Sequence, residues 1–313
     1  MDELTETPIL KFNKNQMVQV RKSFNYDDVN RLHQDINLLE DWIRKQNHFV
    51  VKEYDKEYLE RYLINSKGLI EQAKKRLDKL CTLRGLMPEY LQGFDIKNEF
   101  QFVLKISHAC VLPKPTPDNY RVFFTTAHNP EAADTFDFLH FSRYMMVLLE
   151  YLYCHDYNVG LEIIIDTRNY TFGVITKLNP IVIANTVMLM TEARGLRIKA
   201  LHLISGSKFL DTVVAIVKQG LTKKLVSRLH IHDNNESLYR LVPRDILPKE
   251  YGGDQPTLKE INESNFKELS SVKHINRMKF MESAVTNESQ RLSSKFNEEY
   301  SGMPGSFKVL NVD

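Results

Sequence analysis

The sequence predicts an α/β protein in which a small helical bundle precedes a layer of helices packed on a mostly parallel sheet. Two observations support this fold class. Helical periodicity rich in leucine fills residues 26–90, and short strand-like runs then alternate with helical segments as far as residue 229. Such alternation is typical of parallel sheets. A chain of 313 residues with 42% hydrophobic residues is long enough for one large domain and a smaller one.

The N-terminal part of the chain is predicted to be helical after an extension that covers residues 1–25. Apolar residues recur three and four positions apart over residues 26–95, as at Leu39, Trp42 and Ile43, and this spacing predicts three or four short helices. Residues 65–68 (Asn-Ser-Lys-Gly) break the pattern between two of them, and Pro88 ends the last.

Residues 96–253 are predicted to form the α/β domain. Strands are expected at residues 101–106, 121–126, 161–166 and 197–204, and helices at residues 137–153, 180–193 and 209–229. Residues 254–313 are polar and predict a C-terminal extension that packs on the core, with a helix near residues 276–299.

Cysteine usage and the N-terminal sequence predict where the protein works. Cys81, Cys110 and Cys154 form no C-x-x-C pair, which is typical of a reduced, cytoplasmic protein. The acidic start has no apolar core, and the longest apolar run, residues 180–190, is far shorter than the ~20 residues that span a bilayer. We therefore expect a cytoplasmic monomer whose membrane association is peripheral.

Charge is concentrated in one segment. Residues 194–228 hold eight Lys or Arg against one acid, Asp211, and carry +7 while the rest of the chain sums to −5. Such polarity favours an anionic surface or headgroup as partner. The overall charge is only +2 and the basic residues have aliphatic rather than aromatic neighbours, so nucleic acid is not an expected partner.

Four cations of this segment are candidates for binding phosphate. Strand periodicity places Arg197 and Lys199 on one face, and a helical stripe that begins apolar at residue 210 continues to Lys224 and Arg228. Arginine suits phosphate because its guanidinium donates in a bidentate fork. The alternative is that these cations form a solvated rim over an ordinary core helix.

Residues that suggest catalysis or metal binding have simpler interpretations. His230 and His232 could share one face of a strand, but no further ligands follow at a suitable spacing, so a structural pair is expected. Asp166 ends a predicted strand and would cap the amides of the following turn. No nucleophile elbow or activated thiol is visible. The sequence therefore predicts neither an enzyme nor a cofactor.

The order of several motifs resembles the CRAL-TRIO lipid-binding family. The N-terminal motifs are Leu39-x-x-Trp42-Ile43-x-x-Gln46-x-His48, Leu59-x-x-Tyr62-Leu63 and Leu83-Arg84-x-x-x-Pro88-Glu89, and the closing one is Ile246-Leu247-Pro248-x-Glu250-Tyr251-Gly252-Gly253. The chain is most similar to the branch that includes α-tocopherol transfer protein and cellular retinaldehyde-binding protein. The ending Gly305-Ser306-Phe307-Lys308-x-Leu310 resembles insect members.

This resemblance implies a hydrophobic cavity between a sheet and a movable helical gate, here residues 209–221. Large apolar residues on the helices could by themselves equally form an ordinary core. The resemblance implies phosphoinositide binding by Arg197, Lys199, Lys224 and Arg228. The expected cavity walls are Phe141, Met145, Leu148, Leu161, Ile163, Ile165, Leu189, Met190, Leu210, Val213, Ile216, Val217 and Leu221.

The implied function is intracellular binding and transfer of a hydrophobic small molecule, such as a tocopherol, retinoid or carotenoid, with docking and release at phosphoinositide-bearing membranes. A cargo-free phosphoinositide adaptor and, less favoured, a lipid-modifying enzyme remain alternatives. The chain departs from the family pattern in the gate, where Gln219 replaces a proline and Gly220 an aromatic residue. Asn47, Asn169 and Ser207 also replace residues usual in the family, namely Pro, Gly and Pro.

Overall fold

The centre of the fold is a sheet of five strands with the order β1-β2-β3-β4-β5, seen in a computed structural model that describes residues 4–129, 135–205 and 210–292. β1 is antiparallel to β2, and the other neighbours are parallel. The predicted α/β class with a mostly parallel sheet is confirmed. The strands are β1 (Ser107–Val111), β2 (Tyr120–Ala127), β3 (Gly160–Asp166), β4 (Ile198–Ile204) and β5 (Leu229–His232).

Helices precede the sheet as a bundle, as predicted. The longest helices bury one apolar face; in the second, this face consists of Leu32, Ile36, Leu39 and Ile43, and the Asp28 carboxylate accepts a hydrogen bond from the amide of Asn30 at the helix start. The helices before β1 are α1 (Gln16–Ser23), α2 (Val29–Lys45), α3 (Lys56–Asn65), α4 (Ile70–Leu86), α5 (Pro88–Leu91), α6 (Ile96–Glu99) and α7 (Phe102–Lys105).

The later helices cover both faces of the sheet. They are α8 (Phe138–His155), α9 (Phe172–Ile175), α10 (Pro180–Met188), α11 (Leu210–Gly220), α12 (Lys223–Val226), α13 (Asn235–Tyr239), α14 (Leu258–Leu269) and α15 (Val272–Ser283). A π-helical turn (Leu189–Ala193) extends α10, and single 3₁₀ turns occur at Arg244–Ile246, Lys249–Tyr251 and Glu288–Gln290.

Several predicted elements differ from the structure. Residues 101–106 contain the helix α7 rather than a strand, because Val103 and Ile106 are buried three positions apart, as one helical turn requires. β5 was not predicted as part of the sheet. The single helix predicted over residues 209–229 is two helices, because Gly220 ends α11 and the Thr222 hydroxyl accepts from the amide of Leu225 to begin α12.

The C-terminal part of the chain also differs from its prediction. The helix expected near residues 276–299 ends at Ser283, and the predicted tail motif from Gly305 lies outside the described residues. α14 packs on β1 and supplies ladder partners to it: Asn262 Oδ1 accepts from the amide of Ala109 at 3.0 Å, and Asn265 Oδ1 from that of Val111 at 3.0 Å. These bonds satisfy backbone donors at the edge of the sheet.

Buried ion pairs connect the bundle with the sheet. Arg121 on β2 donates Nε to Asp156 Oδ2 and Nη2 to Asp156 Oδ1, both at 2.9 Å, and neither side chain is accessible to solvent. The backbone carbonyl of the same Asp156 accepts from Arg61 of α3 at 3.1 Å. On α8, the Glu150 carboxylate pairs with Arg194 at 2.9 Å.

Acidification is expected to weaken the fold through buried histidines, of which His274 is one. Burial is the main cause that lowers the pKa of His274 to about 4; Arg277 lowers it further, while Glu150 and a hydrogen bond to the Val147 backbone act in the opposite direction. An unfolded histidine titrates near 6.5, so below that pH the unfolded chain binds the proton first and stability falls towards pH 4.

Denaturant unfolding between pH 7.5 and 4.5 measures this effect. The contribution of His274 is on the order of 2 kcal/mol, and His274→Gln should flatten the slope over this window, whereas His33→Gln, at an exposed position on α2, should leave it unchanged. An unaltered slope in the His274 variant would contradict the assignment. The pKa of Glu150 is lowered to about 2, so this carboxylate affects stability only below about pH 4.5, outside the pH range of the experiment.

Candidate functional site

An apolar cavity of about 150 Å³ lies between one face of the sheet and the helices α8, α10 and α11. Phe123 and Ile163 form part of its floor, Met145 and Val187 lie on its sides, and Val217 of α11 covers it. Among the described residues no Asp, Glu, Lys or Arg lines the cavity. The enclosed surface therefore suits an uncharged molecule, because burial of an unpaired charge is costly.

Some of the residues that were expected to form the cavity walls line the cavity, and the others do not. Those that line the cavity are Phe141, Met145, Ile163, Ile165, Met190, Val213, Val217 and Leu221. The others are packed elsewhere: Leu148, Leu161 and Leu189 are buried in the main core, and Leu210 and Ile216 pack beside Ile175 and Leu203.

The position of the cavity along the strands explains part of this division. Leu161 stands at the start of β3, whereas Ile163 and Ile165 lie nearer its carboxyl end, where the cavity is. The π-helical turn begins at Leu189 and directs this side chain into the core while its neighbour Met190 reaches the cavity.

Other wall residues were not predicted. Some of them lie on the cavity face of β2 and β4, and the others lie on the inner side of α10. The alternation of side chains along β2 and β4 would have identified those on the strands. These unpredicted wall residues include Phe123, Thr125, Ile183, Val187, Leu201 and Leu203.

The helix α11 covers the cavity and touches α10 closely at one residue. A Cβ placed on Gly220 would lie 2.5 Å from Ile183 Cγ2 and 2.8 Å from the Pro180 carbonyl oxygen. Only glycine allows this approach, because real Cβ atoms do not come so close to backbone oxygen. Gly220, which replaces an aromatic residue usual in the family, therefore lies at a tight contact between the gate helix α11 and α10.

Arg197 immediately precedes β4 and is half-buried, whereas Lys199 on β4 is exposed. The pairing of β3 with β4 shifts register between Leu161 and Glu162, which adds one residue to β4 at this point. Arg197 contacts the bundle: its guanidinium carbon is 3.9 Å from the centre of the Phe24 ring, and its Nε donates to the Val159 carbonyl at 2.6 Å. Burial lowers the pKa of Arg197 to about 10.

Lys199 is exposed on the opposite side of the sheet from the cavity. Its Nζ lies 3.1 Å from Glu162 Oε1 and 4.4 Å from the centre of the Tyr120 ring. Burial raises the pKa of Glu162, but hydrogen bonds from His202 and Lys199 outweigh it and hold the pKa below its usual value. A phosphate at Lys199 would therefore have to compete with an ionised carboxylate.

The other two predicted cations lie on and after α12. Lys224 is exposed, and no acidic partner stands within ion-pair distance of it in the part of the chain that the structure describes. Arg228 Nη1 donates to the carbonyl of Ile198, the residue between Arg197 and Lys199, so the fold brings Arg228 next to that pair.

The residues considered for catalysis have structural partners. Asp166 points away from the cavity, where its carboxylate accepts from Tyr251 at 2.6 Å and pairs with Arg168. His232 Nε2 lies 3.0 Å from His202 Nδ1. Within the described ranges, no group of three or more His, Cys, Asp or Glu side chains is placed to hold a metal ion.

The structure is thus an α/β fold in which a sheet and a covering helix enclose an apolar cavity. Residues 105–253 match the family described as "CRAL/TRIO domain". The match covers just under half of the chain, and it confirms the predicted resemblance of this part to the CRAL/TRIO family. The described residues contain no helix with both the length and the hydropathy of a membrane span.

Similar proteins include alpha-tocopherol transfer protein-like of Mus musculus and of Homo sapiens, each 25% identical over 224 residues that cover 70% of this chain. The match spans 64% of the length of these relatives. Clavesin-2 of Homo sapiens is 29% identical over 98 residues, which are 31% of this chain and 30% of that relative. The crystal structure of Sfh5 aligns with 79% of this chain and 98% of its own, at 14% identity and a TM-score of 0.44.

Proposed function

We propose that this protein binds and transfers a hydrophobic small molecule, such as a tocopherol, retinoid, carotenoid or similar lipid. The observation that carries this proposal is the apolar cavity beneath α11, whose described walls include no Asp, Glu, Lys or Arg. The similarity to alpha-tocopherol transfer protein-like, whose name refers to a lipid, supports the same class of cargo.

The size of the cavity supports a movable gate. A cavity of about 150 Å³ holds a molecule of roughly the size of benzene. A tocopherol or retinoid is several times larger, so cargo would enter only if a wall moved. α11 is the wall most suited to this motion, because it is a single helix whose other side carries the exposed Lys218.

Membrane docking would use the surface around the gate. Phe172 and Ile181 are 64% and 52% exposed on α9 and α10, and Lys223 and Lys224 are exposed on α12. Apolar side chains beside cations fit the interface of a membrane that contains phosphoinositide. We infer peripheral, phosphoinositide-dependent docking through this surface, with Lys224 and Arg228 as the main contacts and Arg197 and Lys199 as secondary ones.

Neutralising Lys224 and Arg228 together is expected to weaken binding to phosphoinositide liposomes about 30-fold, since each cation near an anionic membrane contributes about 1 kcal/mol. Sedimentation with liposomes that contain or lack phosphatidylinositol bisphosphate measures this change in binding. Lys259→Ala, at an exposed position on α14, is the matched control and should bind as the unmodified protein does. Equal binding by the double variant and the control would refute the assignment of these two residues.

Solvent extraction of the purified protein, followed by mass spectrometry, tests the cargo. A single dominant apolar molecule is the expected result. An empty extract, from protein that also fails to bind tocopherol, retinol and carotenoid when they are offered, would refute the carrier function.

A cargo-free phosphoinositide adaptor is the second candidate, and the small volume of the cavity is the observation that favours it. In that case α11 would remain closed and the cavity would stay empty on the membrane. An enzymatic role has less support. Asp166 lies on the other face of the sheet, and the exposed His140 is not among the residues that line the cavity.

A further inference from the structure

Serine and threonine hydroxyls in the wall of the cavity fall into two kinds. Two of them are satisfied within their own helices: Ser142 Oγ donates to the Phe138 carbonyl at 3.1 Å, and Thr186 Oγ1 donates to the Val182 carbonyl at 2.7 Å. Such bonds to the preceding turn leave these donors unavailable to a ligand. They contribute mainly apolar surface to the cavity.

Ser107 and Thr125 are of the other kind. Both are cavity residues with about 5% and 4% of their surface exposed. Among the residues that the structure describes, the buried Ser107 hydroxyl has no hydrogen-bond partner. Within the same part of the chain, the Thr125 hydroxyl makes no hydrogen bond either. Buried hydroxyls without partners are uncommon because each costs about 1–3 kcal/mol of desolvation.

The strand register places these two hydroxyls side by side. Ser107 on β1 stands opposite Ala127, and Ala109 stands opposite Thr125 on β2. Residues directly opposite in an antiparallel pair point to the same face, so Ser107 and Thr125 are diagonal neighbours on the cavity face, with Cα atoms roughly 7–8 Å or less apart. One oxygen atom of a ligand could reach both.

We propose that Ser107 and Thr125 form a hydroxyl pair that binds the one polar oxygen of an uncharged cargo, an alcohol or a carbonyl compound. This inference rests on the proposed carrier function. The pair orients the cargo with its polar end at the β1–β2 edge and its apolar body along β3 and β4 beneath α11. It also provides hydrogen-bond partners for two hydroxyls that have none among the described residues.

The same wall discriminates against charged lipids. A carboxylate or phosphate placed at the hydroxyl pair would lose its hydration and meet no cation, because no Lys or Arg lines the cavity within the described residues. Such burial costs far more than two neutral hydrogen bonds return. We therefore expect a neutral terpenoid, sterol or chromanol class of cargo rather than a fatty acid or phospholipid.

The experiment compares three molecules with one carbon skeleton: farnesol, the corresponding hydrocarbon farnesene, and farnesoic acid. Their affinities are measured by displacement of the neutral fluorophore Nile red. The full-length protein should prefer the alcohol to the hydrocarbon by about fivefold or more, the factor that corresponds to ~1 kcal/mol for one net hydrogen bond, and should bind the acid most weakly at neutral pH.

The variants Thr125→Val and Ser107→Ala should each reduce this preference about fivefold while farnesene binds as before. Thr186→Val is the matched control, because it removes a hydroxyl of the same wall that is already satisfied by Val182. Thermal unfolding verifies that each variant is folded.

Three results would overturn the hydroxyl pair. The first is equal affinity of the unmodified protein for farnesol and farnesene, which leaves the carrier function intact. The second is loss of the preference in Tyr170→Phe, at the tyrosine that lines the cavity, with no change in the Ser107 and Thr125 variants. The third is the absence of any binding by all three molecules and by Nile red, which would refute the carrier function as well.

Discussion

Replacement of Gly220 by alanine is expected to separate α11 from α10 and to lower the free energy of unfolding by about 1–3 kcal/mol, the usual cost of overpacking. The added Cβ would meet Ile183 Cβ at 2.6 Å and the Pro180 carbonyl oxygen at 2.8 Å. A side-chain rotation cannot relieve contacts with a Cβ atom and a backbone oxygen, so the end of α11 must move. Because Ile183 also lines the cavity, the displacement should enlarge the opening and accelerate cargo release.

Stopped-flow transfer of a bound fluorescent lipid to acceptor liposomes measures release, and denaturant unfolding measures stability. Gly85→Ala is a matched control, since an added Cβ at this position of α4 meets no atom within 4 Å. That variant should gain about 0.5–1 kcal/mol from the higher helix propensity of alanine. A Gly220 variant that is as stable as Gly85→Ala and releases lipid at the unmodified rate would exclude a latch at this contact.

Replacement of Arg121 by methionine should cost about 3–5 kcal/mol, because it leaves the Asp156 carboxylate buried without its cation. Arg121 also donates Nη2 to the Lys11 carbonyl at 3.1 Å and Nη1 to the Pro113 carbonyl at 2.5 Å, so the loss extends to the N-terminal segment. The midpoint of urea unfolding is the quantity to measure.

Two further variants show whether the charge is the cause. Asp156→Asn in the Arg121→Met background removes the unpaired charge and should recover part of the loss. Lys259→Met breaks the exposed pair with Glu263, 3.9 Å apart, and should change stability by less than about 1 kcal/mol. A loss of comparable size in the Lys259 and Arg121 variants would show that burial of the pair has no special weight.

Local periodicity was sufficient for most of the fold. The bundle, β2, β3, β4 and the helices α8 and α10 follow from spacing of apolar residues, which the structure reproduces within a few residues. The failures occur where the local pattern is compatible with two structures. Residues 102–105 are apolar enough for a strand or for one helical turn, and their burial against the sheet decides for the turn.

The site was predicted less completely, for reasons that are three-dimensional. The register shift at Glu162 is invisible in the sequence, and so is the contact of Arg197 with the Phe24 ring. Nor could spacing show that Thr186 satisfies its own hydroxyl while Thr125 does not. Gly220 was visible as a departure from the family pattern, but its meaning depends on Ile183, which lies 37 positions earlier in the chain and next to it in space.

The two faces of the sheet have different mechanical roles. On the side away from the cavity, Tyr251 is bonded to Asp166 and Lys199 to Glu162, and the side chains of Phe124, Ile164 and Ile204 are sealed in a separate cluster. None of these contacts involves α11. Amide protons of β3 and β4 should therefore exchange with deuterated solvent only through global unfolding, whereas those of α11 exchange through a cheaper local opening. The proposed gate can therefore open at a smaller free-energy cost than that of unfolding the whole domain.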